Sequence, residues 1–457
     1  MTNKQLTCFK TYDIRGEIDI DFDRNIAYRI GRSVAQHFRA SNVVVGYDAR
    51  ETSPSFASSV TKGICDSGSN VIFIGLAGTE EMYWAVTEFG ACAGIEVTAS
   101  HNPINFNGMK IVKSGSKPLD KKSDFLEIKN LAIKQDWLPS VKHGKVIDKK
   151  LYAREKYVDR ILSFVQCSKV GPLKLAVNSG NGAAKPAFDA IAKRLSEQGA
   201  KLDFFYLNHE PDCRFPNGIP NPMLSKNQKV TSNFVIETGA DLGIAFDGDF
   251  DRCFFFDENG KFISSEFIIG LLASIFLERE KFGVIVHDPR VIWNVQDIVA
   301  KKGGEVWQSK TGHSFIKSAM RDKNAIYGGE LSAHHYFRDF AFCDSGMIPW
   351  LLIAQFLSQS SHSFSEVIKI RRKKFISSGE INLNVSNTNS IMDSVIATFG
   401  KDYMVERFDG VSVSASDWRF NLRKSNTESL VRLNVESSNL DKDLNGLVKK
   451  IISSILA

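Results

Sequence analysis

Short runs of β-branched and aromatic residues recur along the chain, and each is followed by a polar loop and a longer amphipathic stretch. In the first repeat the apolar run 42–46 precedes a helix that begins at Ser53 and Pro54 and stops near Gly68. Serine is favoured as a helix cap and proline at the first helical position. A second apolar run, 71–75, follows. A buried strand, a helix and another buried strand predict a right-handed parallel crossover.

The same order occurs twice more. Apolar runs at 173–177 and 202–206 flank a helix that ends near Gly199, and runs at 283–287 and 305–308 flank a helix that ends at 303–304. Three such repeats predict three similar α/β domains with mixed sheets, placed in series.

The last ~80 residues have a different pattern, although such boundaries are good only to several residues. Residues 371–374 are basic and residues 377–379 are Ser-Ser-Gly, which is typical of a linker. Alternating apolar residues at 381–385 and 430–436 indicate strands, a helix is predicted at 390–399, and the C-terminus is amphipathic. We therefore expect a smaller α+β domain here. The predicted boundaries are 1–145, 146–257, 258–372 and 373–457.

Composition indicates an ordinary soluble globular protein. Of the 457 residues 43% are hydrophobic and 24% charged, and 58 Lys and Arg against 52 Asp and Glu give a net charge of +6. That excess is too small and too evenly spread to predict nucleic-acid binding. The longest largely apolar run, residues 267–277, is well short of the ~20 residues that span a bilayer. Seven widely spaced cysteines without a CxxC pair favour reduced thiols, so the expected location is cytoplasmic.

The sharpest local motif places three carboxylates at alternate positions, Asp247, Asp249 and Asp251. Their mutual repulsion favours a site neutralised by a hard cation over a solvated acidic turn. A calcium loop is disfavoured because Arg252 occupies the position where that loop needs glycine. The motif therefore predicts a Mg²⁺ site.

A second loop contains Ser100 and His101, with Lys110 further along. Neighbouring side chains on an extended chain point apart, so a serine–histidine pair cannot be assumed. The residues alone leave a capped turn and an active site equally open. If Ser100 were phosphorylated, its charge of about −2 would complete the coordination of a nearby Mg²⁺.

Two further loops carry polar groups suited to a sugar phosphate. Glu330, Ser332 and His334 alternate, so an extended chain would present them on one face towards sugar hydroxyls. The pair His334 and His335 is a weak metal candidate, since no other Cys or His cluster lies nearby in the sequence.

Residues 423–427, with Arg432 downstream, form a plausible phosphate cradle. Other basic candidates, each more often a surface residue when taken alone, are Arg15, Arg290, Lys310 and His313.

Taken together, these loops resemble those of the α-D-phosphohexomutases. The matching motifs, in chain order, are TASHNP, DGDFDR, GELSAHH and RKSNT. The resemblance covers essentially the whole chain, including residues 10–16 and 310–313. Within the superfamily the chain is most similar to the bacterial phosphomannomutases that feed GDP-mannose and surface polysaccharide synthesis.

The resemblance implies four domains around a central cleft, with Ser100 carrying the phosphoryl group. Asp247, Asp249 and Asp251 would then hold Mg²⁺ together with an oxygen of the phosphoserine. The reacting centre would be lined by Arg15, His101, Lys110, Arg252 and His313, with His101 and Lys110 as candidates for proton transfer. The substrate would be bound by Tyr12, Arg290, Glu330, Ser332, His334, Arg423, Ser425, Asn426, Thr427 and Arg432.

The implied reaction interconverts mannose 6-phosphate and mannose 1-phosphate through a hexose 1,6-bisphosphate, with glucose or mannose 1,6-bisphosphate as activator. The implied partners are hexose phosphates, without nucleic acid or membrane, and the protein would be a monomer or homodimer. Alternatives are a phosphoglucomutase or dual-specificity enzyme, a Mg²⁺-dependent phosphatase, and a non-catalytic sugar-phosphate binding protein. Three positions depart from many relatives, and none carries an assigned role: Phe250, Leu331 and Ser429.

Overall fold

The computed structural model describes residues 6–10, 13–140, 142–385, 388–424 and 430–456. It contains two units, residues 1–262 with 334–361 and residues 263–333 with 362–457. Among the described residues, no helix has the length and apolarity needed to cross a membrane. The seven cysteines are free thiols.

The first sheet lies at the start of the first unit. Its strands are β1 (Ile14–Glu17), β2 (Asn42–Tyr47), β3 (Asn70–Leu76), β4 (Ala93–Val97), β5 (Phe106–Lys113), β6 (Lys117–Pro118) and β7 (Val146–Asp148). The accompanying helices are α1 (Arg24–His37), α2 (Ser53–Asp66), α3 (Thr79–Glu88), α4 (Asp124–Lys134) and α5 (Lys150–Leu162). The strand order is β1-β5-β4-β2-β3-β7, with β6 beside β5. Strand β2 is parallel to β3 and β4, whereas β5 is antiparallel to β4, so the sheet is mixed.

Helix α2 begins where the sequence predicts, but its cap differs. The N-cap residue is Thr52, with Pro54 in the first turn. The predicted cap, Ser53, instead donates its hydroxyl proton to Asp48 Oδ1 at 2.6 Å. The buried carboxylate competes for this hydroxyl, so the capping prediction was wrong.

The second sheet follows in the same unit. It contains β8 (Leu173–Asn178), β9 (Leu202–Leu207), β10 (Leu242–Phe246), β11 (Cys253–Phe256) and β12 (Phe262–Ile263), in the order β12-β11-β10-β8-β9. Helices α6 (Ala184–Glu197) and α7 (Ser225–Thr238) connect the strands. Strand β8 is parallel to β9 and β10, and β11 is antiparallel to β10. The carboxyl end of β10 leads directly into the aspartate motif.

The next stretch starts in the second unit with α8 (Ser265–Arg279), β13 (Val284–His287), α9 (Trp293–Lys301), β14 (Glu305–Gln308), α10 (His313–Asp322) and β15 (Tyr327–Gly329). Strand β13 is parallel to both β14 and β15. The chain then contributes β16 (His335–Phe337), β17 (Cys343–Asp344) and α11 (Met347–Ser358) to the first unit. Short 3-10 helices lie at Ser114–Ser116, Cys167–Lys169 and Arg338–Phe340.

The C-terminal sheet belongs to the second unit. After α12 (Phe364–Arg372) come β18 (Ile376–Asn384), α13 (Thr388–Phe399), β19 (Met404–Glu406), β20 (Val411–Ser414), β21 (Trp418–Lys424), β22 (Leu430–Ser437) and α14 (Leu444–Leu456). The strand order is β18-β22-β21-β20-β19, and every pair is antiparallel. The expected linker at 377–379 was wrong, because these residues lie within β18.

One face of this sheet forms a core with residues such as Phe420 and Leu433. The opposite face is polar and also buried, since Asn421 and Asn434 are each 0% exposed. The predicted fold class, three α/β domains with mixed sheets followed by a smaller α+β domain, is confirmed.

Candidate active site

Ser100 lies in the turn after β4 and is 2% exposed. Its φ of +48° is in the left-handed region, so the chain is not extended here and the geometry that would separate the Ser100 and His101 side chains does not apply. Ser100 Oγ lies 3.1 Å from His101 Nδ1 and donates to Asp247 Oδ2 at 2.9 Å. Arg252 Nη2 lies 3.4 Å from the same hydroxyl. A buried hydroxyl thus faces an imidazole, a carboxylate and a guanidinium.

A buried ion pair that sequence reasoning missed holds this turn in place. Arg50 donates to the carbonyl oxygens of Ser100, Asn102, Pro103 and Phe106 at 2.6–3.0 Å. Its partner Asp48 lies 3.5 Å from Arg50 Nε and accepts a hydrogen bond from Thr98 Oγ1 at 2.7 Å. The sequence signal that could have identified Asp48 and Arg50 is their position directly after a buried strand, because such residues lie at the carboxyl edge of the sheet.

The three aspartates of the loop after β10 converge. One oxygen from each of Asp247, Asp249 and Asp251 lies within 4.8 Å of the others. All three residues are at most 2% exposed, and the Oδ1 atom of each is buried without a hydrogen-bond partner. Unpaired buried carboxylate oxygens carry a large desolvation cost. Oxygen donors of this kind suit a hard divalent cation, so the residues present fit Mg²⁺.

Two buried cationic side chains bind the Oδ2 atoms of the three aspartates. Lys110 Nζ donates to Asp249 Oδ2 at 2.7 Å and also to Asp251 Oδ2. Arg252 Nε donates to Asp247 Oδ2 at 2.8 Å. Burial, reinforced by the charge of Asp249, raises the pKa of Asp251 well above its usual range. Three carboxylates bound by two monovalent cations, Lys110 and Arg252, therefore carry excess negative charge.

Burial affects His101 and Lys110 differently. Burial, together with the charges of Arg252 and Arg15, lowers the pKa of His101 well below its usual range, so the imidazole is neutral at pH 7. Burial by itself would lower the pKa of Lys110, but Asp249 and Asp251 raise it above its ordinary value. Lys110 is therefore a permanent cation in this arrangement, and His101 is neutral, with its Nδ1 accepting a hydrogen bond from Arg252.

Arg15 supports the Ser100 turn from β1. Its Nη1 donates to the carbonyl oxygen of Ala99 at 2.7 Å and to the side chain of Asn102. Asp13 binds its Nε at 2.8 Å. Tyr12, expected to bind substrate, lies outside the described residues.

The unusual Phe250 has a structural partner. Its φ is +43°, and its ring occupies the space beside Gly78, where an added Cβ would lie 2.2 Å from a ring carbon. Gly248 approaches the Ser100 turn, since a Cβ there would lie 2.7 Å from the carbonyl oxygen of Ser100. Both glycines allow the aspartate loop to pack closely against its neighbours.

His334 also lies beside the triad in the first unit. Its Nε2 is 3.7 Å from Asp251 Oδ1 and 4.0 Å from Asp344 Oδ2, and the backbone of His334 forms a bridge with Arg252. Asp344 was not singled out in the sequence, because nothing in its local pattern places it near residue 251.

Glu330 and Ser332 belong to the second unit. Residues 331–332 form a turn, and Ala333 has a φ of +68°. The expected shared face of an extended segment is therefore not formed. Glu330 is 2% exposed and accepts a hydrogen bond from the backbone N–H of Gly312 at 2.7 Å. That contact places Glu330 beside the start of α10, where His313 is the first residue.

The predicted phosphate cradle is partly described. Arg423 and Arg432 are directly opposite each other on β21 and β22. Arg290 is 1% exposed and binds Asp288 through Nη2 at 2.7 Å and Nε at 3.1 Å. Glu380 joins Arg290 and Arg432, with contacts of 3.2 and 3.3 Å. The remaining predicted ligands, Ser425, Asn426 and Thr427, lie outside the described residues.

Comparisons with known proteins find similarity over nearly the whole chain. Three family models match it, those of the phosphoglucomutase/phosphomannomutase alpha/beta/alpha domains I, II and III, over residues 6–137, 155–260 and 264–375. The chain is 49% identical over 459 residues to a phosphomannomutase of Vibrio cholerae serotype O1, covering 99% of each. It is 48% identical over 433 residues to a phosphomannomutase of Salmonella montevideo, covering 94% of this chain and 95% of the relative.

A solved structure is also similar. The crystal structure of a phosphoglucomutase/phosphomannomutase family protein from Burkholderia thailandensis superposes with a TM-score of 0.86 at 27% identity. The match covers 98% of this chain and 96% of that one.

Proposed function

The chain belongs to the phosphoglucomutase/phosphomannomutase family, and on that premise we propose that it interconverts mannose 6-phosphate and mannose 1-phosphate. The observation that carries the proposal is the buried Ser100 hydroxyl, 2.9 Å from a converging aspartate triad. A nucleophilic hydroxyl beside a divalent-cation site suits phosphoryl transfer, in which positioning and charge neutralisation supply most of the catalysis.

We propose that Ser100 is the phosphoryl carrier. The phosphoserine gives its group to the free hydroxyl of the bound hexose phosphate and forms a 1,6-bisphosphate, which turns around before its other phosphate returns to Ser100. Glucose or mannose 1,6-bisphosphate would activate the enzyme by the same route. Asp247, Asp249 and Asp251 would hold Mg²⁺, which when bound neutralises charge on the phosphoryl oxygens.

The residues around Ser100 would each have a separate role in the reaction. Arg252 donates towards the Ser100 hydroxyl and would stabilise the negative charge that develops there when the phosphoryl group leaves. His101, neutral and 3.1 Å from Ser100 Oγ, is the better placed of the two proton-transfer candidates. Lys110 remains charged and would keep Asp249 and Asp251 in position. Arg15 would hold the Ser100 turn.

The substrate contacts are proposed from the same family membership. Glu330 and Ser332 would bind sugar hydroxyls, with His334 close by and His313 lining the reacting centre. Arg290, Arg423 and Arg432 would hold the phosphate that is not reacting, together with Ser425, Asn426 and Thr427; Tyr12 would also contact substrate. We retain the four-domain division at 1–145, 146–257, 258–372 and 373–457, which limited proteolysis would test.

The Ser100→Ala variant tests the central step. It is expected to fold and to lose mutase turnover, measured with mannose 1-phosphate, Mg²⁺ and catalytic glucose 1,6-bisphosphate. Mass spectrometry should locate a phosphate on Ser100 of the parent protein only. Near-parental turnover in the variant would refute the role of Ser100.

Substrate choice needs a separate measurement, because glucose and mannose differ only at C2. We expect a higher kcat/KM for mannose 1-phosphate than for glucose 1-phosphate. The opposite ratio would make the protein a phosphoglucomutase, and release of inorganic phosphate without isomerisation would make it a phosphatase. The proposed setting is the cytoplasm, with mannose 1-phosphate supplied to GDP-mannose synthesis for surface polysaccharide, by a monomer or homodimer.

A further inference from the structure

Glu380 is placed by an irregularity at the start of β18. The register between β18 and β22 shifts between Ser377 and Glu380, and Gly379 within this bulge has a φ of +69°. Bulges re-aim side chains and are frequent next to active sites. After the bulge Glu380 is opposite Asn434, so it shares a sheet face with Arg432, two positions away.

The same face carries the arginines of the cradle. Arg423 is directly opposite Arg432 in the β21–β22 pair, so both side chains lie on the face of Glu380. Arg290 reaches this face from the loop after β13. The carboxylate of Glu380 joins them, with Oε2 3.2 Å from Arg290 Nη1 and Oε1 3.3 Å from Arg432 Nη1. Its side chain is 12% exposed, so the bridge is largely shielded from water.

The charges in this cluster are nearly balanced. The three guanidinium groups are those of Arg290, Arg423 and Arg432. The carboxylates of Asp288 and Glu380 contact this cluster directly, and the charges of Glu330 and Asp409 also act on it. Burial lowers the pKa of Arg423, the charge of Arg290 lowers it further, and Glu380 opposes both effects. Asp288 already binds Arg290 through two nitrogens. Glu380 contacts Arg432 directly and, like Asp409, opposes the effects that lower the pKa of Arg423.

We propose that Glu380 is a positioning residue that limits how tightly this arginine cluster holds a phosphate group. This inference rests on the proposed function, in which the arginine cluster binds first one and then the other phosphate of a bisphosphate intermediate. Between the two half-reactions the intermediate must be released from the cluster and reorient. Binding energy that is equally strong throughout the cycle lowers KM without raising kcat. A carboxylate between two cradle arginines keeps them close together and weakens their combined pull on a dianion.

The first test measures binding of inorganic phosphate by calorimetry, without any hexose. Removing the charge in Glu380→Gln is expected to tighten phosphate binding by about tenfold, because a negative charge near the dianion is lost in a partly shielded site. The matched control is Glu406→Gln, an exposed residue on β19 of the same sheet, which makes the same change in net charge. Its phosphate affinity should stay within about twofold of the parent, as expected for a screened surface charge.

Two further variants separate charge from geometry. Glu380→Ala is also neutral and should tighten phosphate binding as Glu380→Gln does, which preserves the test if the amide disturbs folding. Glu380→Asp keeps the charge and should stay near the parental affinity. Unchanged or weaker phosphate binding in both neutral variants, or equal tightening in Glu380→Asp, would overturn the proposal.

Kinetics then test the link to turnover. Glu380→Gln is expected to lower both KM and kcat, whereas a merely structural role would raise KM or leave both unchanged. Tighter phosphate binding with parental kcat would overturn the role in turnover. A parent protein that binds phosphate in this pattern but has no mutase activity would refute the proposed function alone.

Discussion

Gly248→Ala is expected to damage the proposed active site while leaving the fold in place. The new Cβ would lie 2.7 Å from the carbonyl oxygen of Ser100, whereas real Cβ contacts essentially never fall below 3.0 Å. The Ser100 turn or the aspartate loop must therefore move by at least about 0.3 Å. The Ser100 turn is poorly able to do so, because Arg50 holds the same carbonyl oxygen at 2.9 Å, and movement of the aspartate loop would displace the triad.

The size of the effect follows from how steeply phosphoryl transfer depends on alignment. A misplacement of about 1 Å costs roughly 100-fold, so a shift of about 0.3 Å should lower kcat/KM by roughly 4-fold. The assay is mutase turnover with mannose 1-phosphate, together with phosphoserine occupancy by mass spectrometry.

A control separates local misalignment from general destabilisation. Gly239 ends α7 with a φ of +60° and has open space around its Cβ position. Gly239→Ala should therefore cost about 1 kcal/mol of stability through backbone strain while leaving kcat/KM unchanged. Parental kcat/KM in Gly248→Ala, or an equal loss in both variants, would refute the reasoning.

Three more predictions follow from other buried groups. Glu436→Gln should lower the free energy of unfolding by about 3–5 kcal/mol in urea denaturation, because it leaves the buried Arg419 guanidinium, now 2.8 Å from Glu436, without its countercharge; a loss below 1 kcal/mol would contradict this. Burial raises the pKa of Glu80 from 4.5 to about 8, so the stability that its protonated form contributes is present below pH 4.5 and is lost as the pH rises towards 8. As the pH rises from 4.5 to 8, the thermal midpoint of Glu80→Gln should therefore fall less than that of the parent. Equal dependence of the two midpoints on pH would be evidence against a raised pKa. Mg²⁺ at about 100 times its Kd should stabilise the parent by about 2.7 kcal/mol in a thermal-shift titration; Asp251→Asn should lose most of this gain, and an equal gain would exclude Asp251 from the ion site.

Much of the fold was accessible from local patterns. The three strand–helix–strand repeats were predicted because buried parallel strands appear as continuous apolar runs, and turns interrupt them. The aspartate loop was also accessible, since three carboxylates at alternate positions are costly without a cation. The Ser100–His101 contact was not accessible, because it depends on a left-handed φ that a non-glycine residue adopts only when surrounding structure enforces it.

The C-terminal sheet shows the same division. Alternating apolar residues at 430–436 predicted a strand, and the apolar face of β22 contributes to a core. The polar face would ordinarily be read as solvent-exposed, yet Arg419 and Glu436 are each 1% exposed. Glu436 binds Arg419 and accepts hydrogen bonds from the backbone N–H groups of Ile292 and Trp293, a contact between segments that are far apart along the chain.

The sequence by itself therefore determined the repeated α/β architecture, the family and the residue types that carry the chemistry. These depend on periodicity and on motifs that are local in the chain. The tertiary structure alone decided that Arg50 holds the Ser100 turn, that His101 contacts its own neighbour, and that Glu380 lies between two arginines. The physical reason is that burial and ion pairing depend on which distant segments meet.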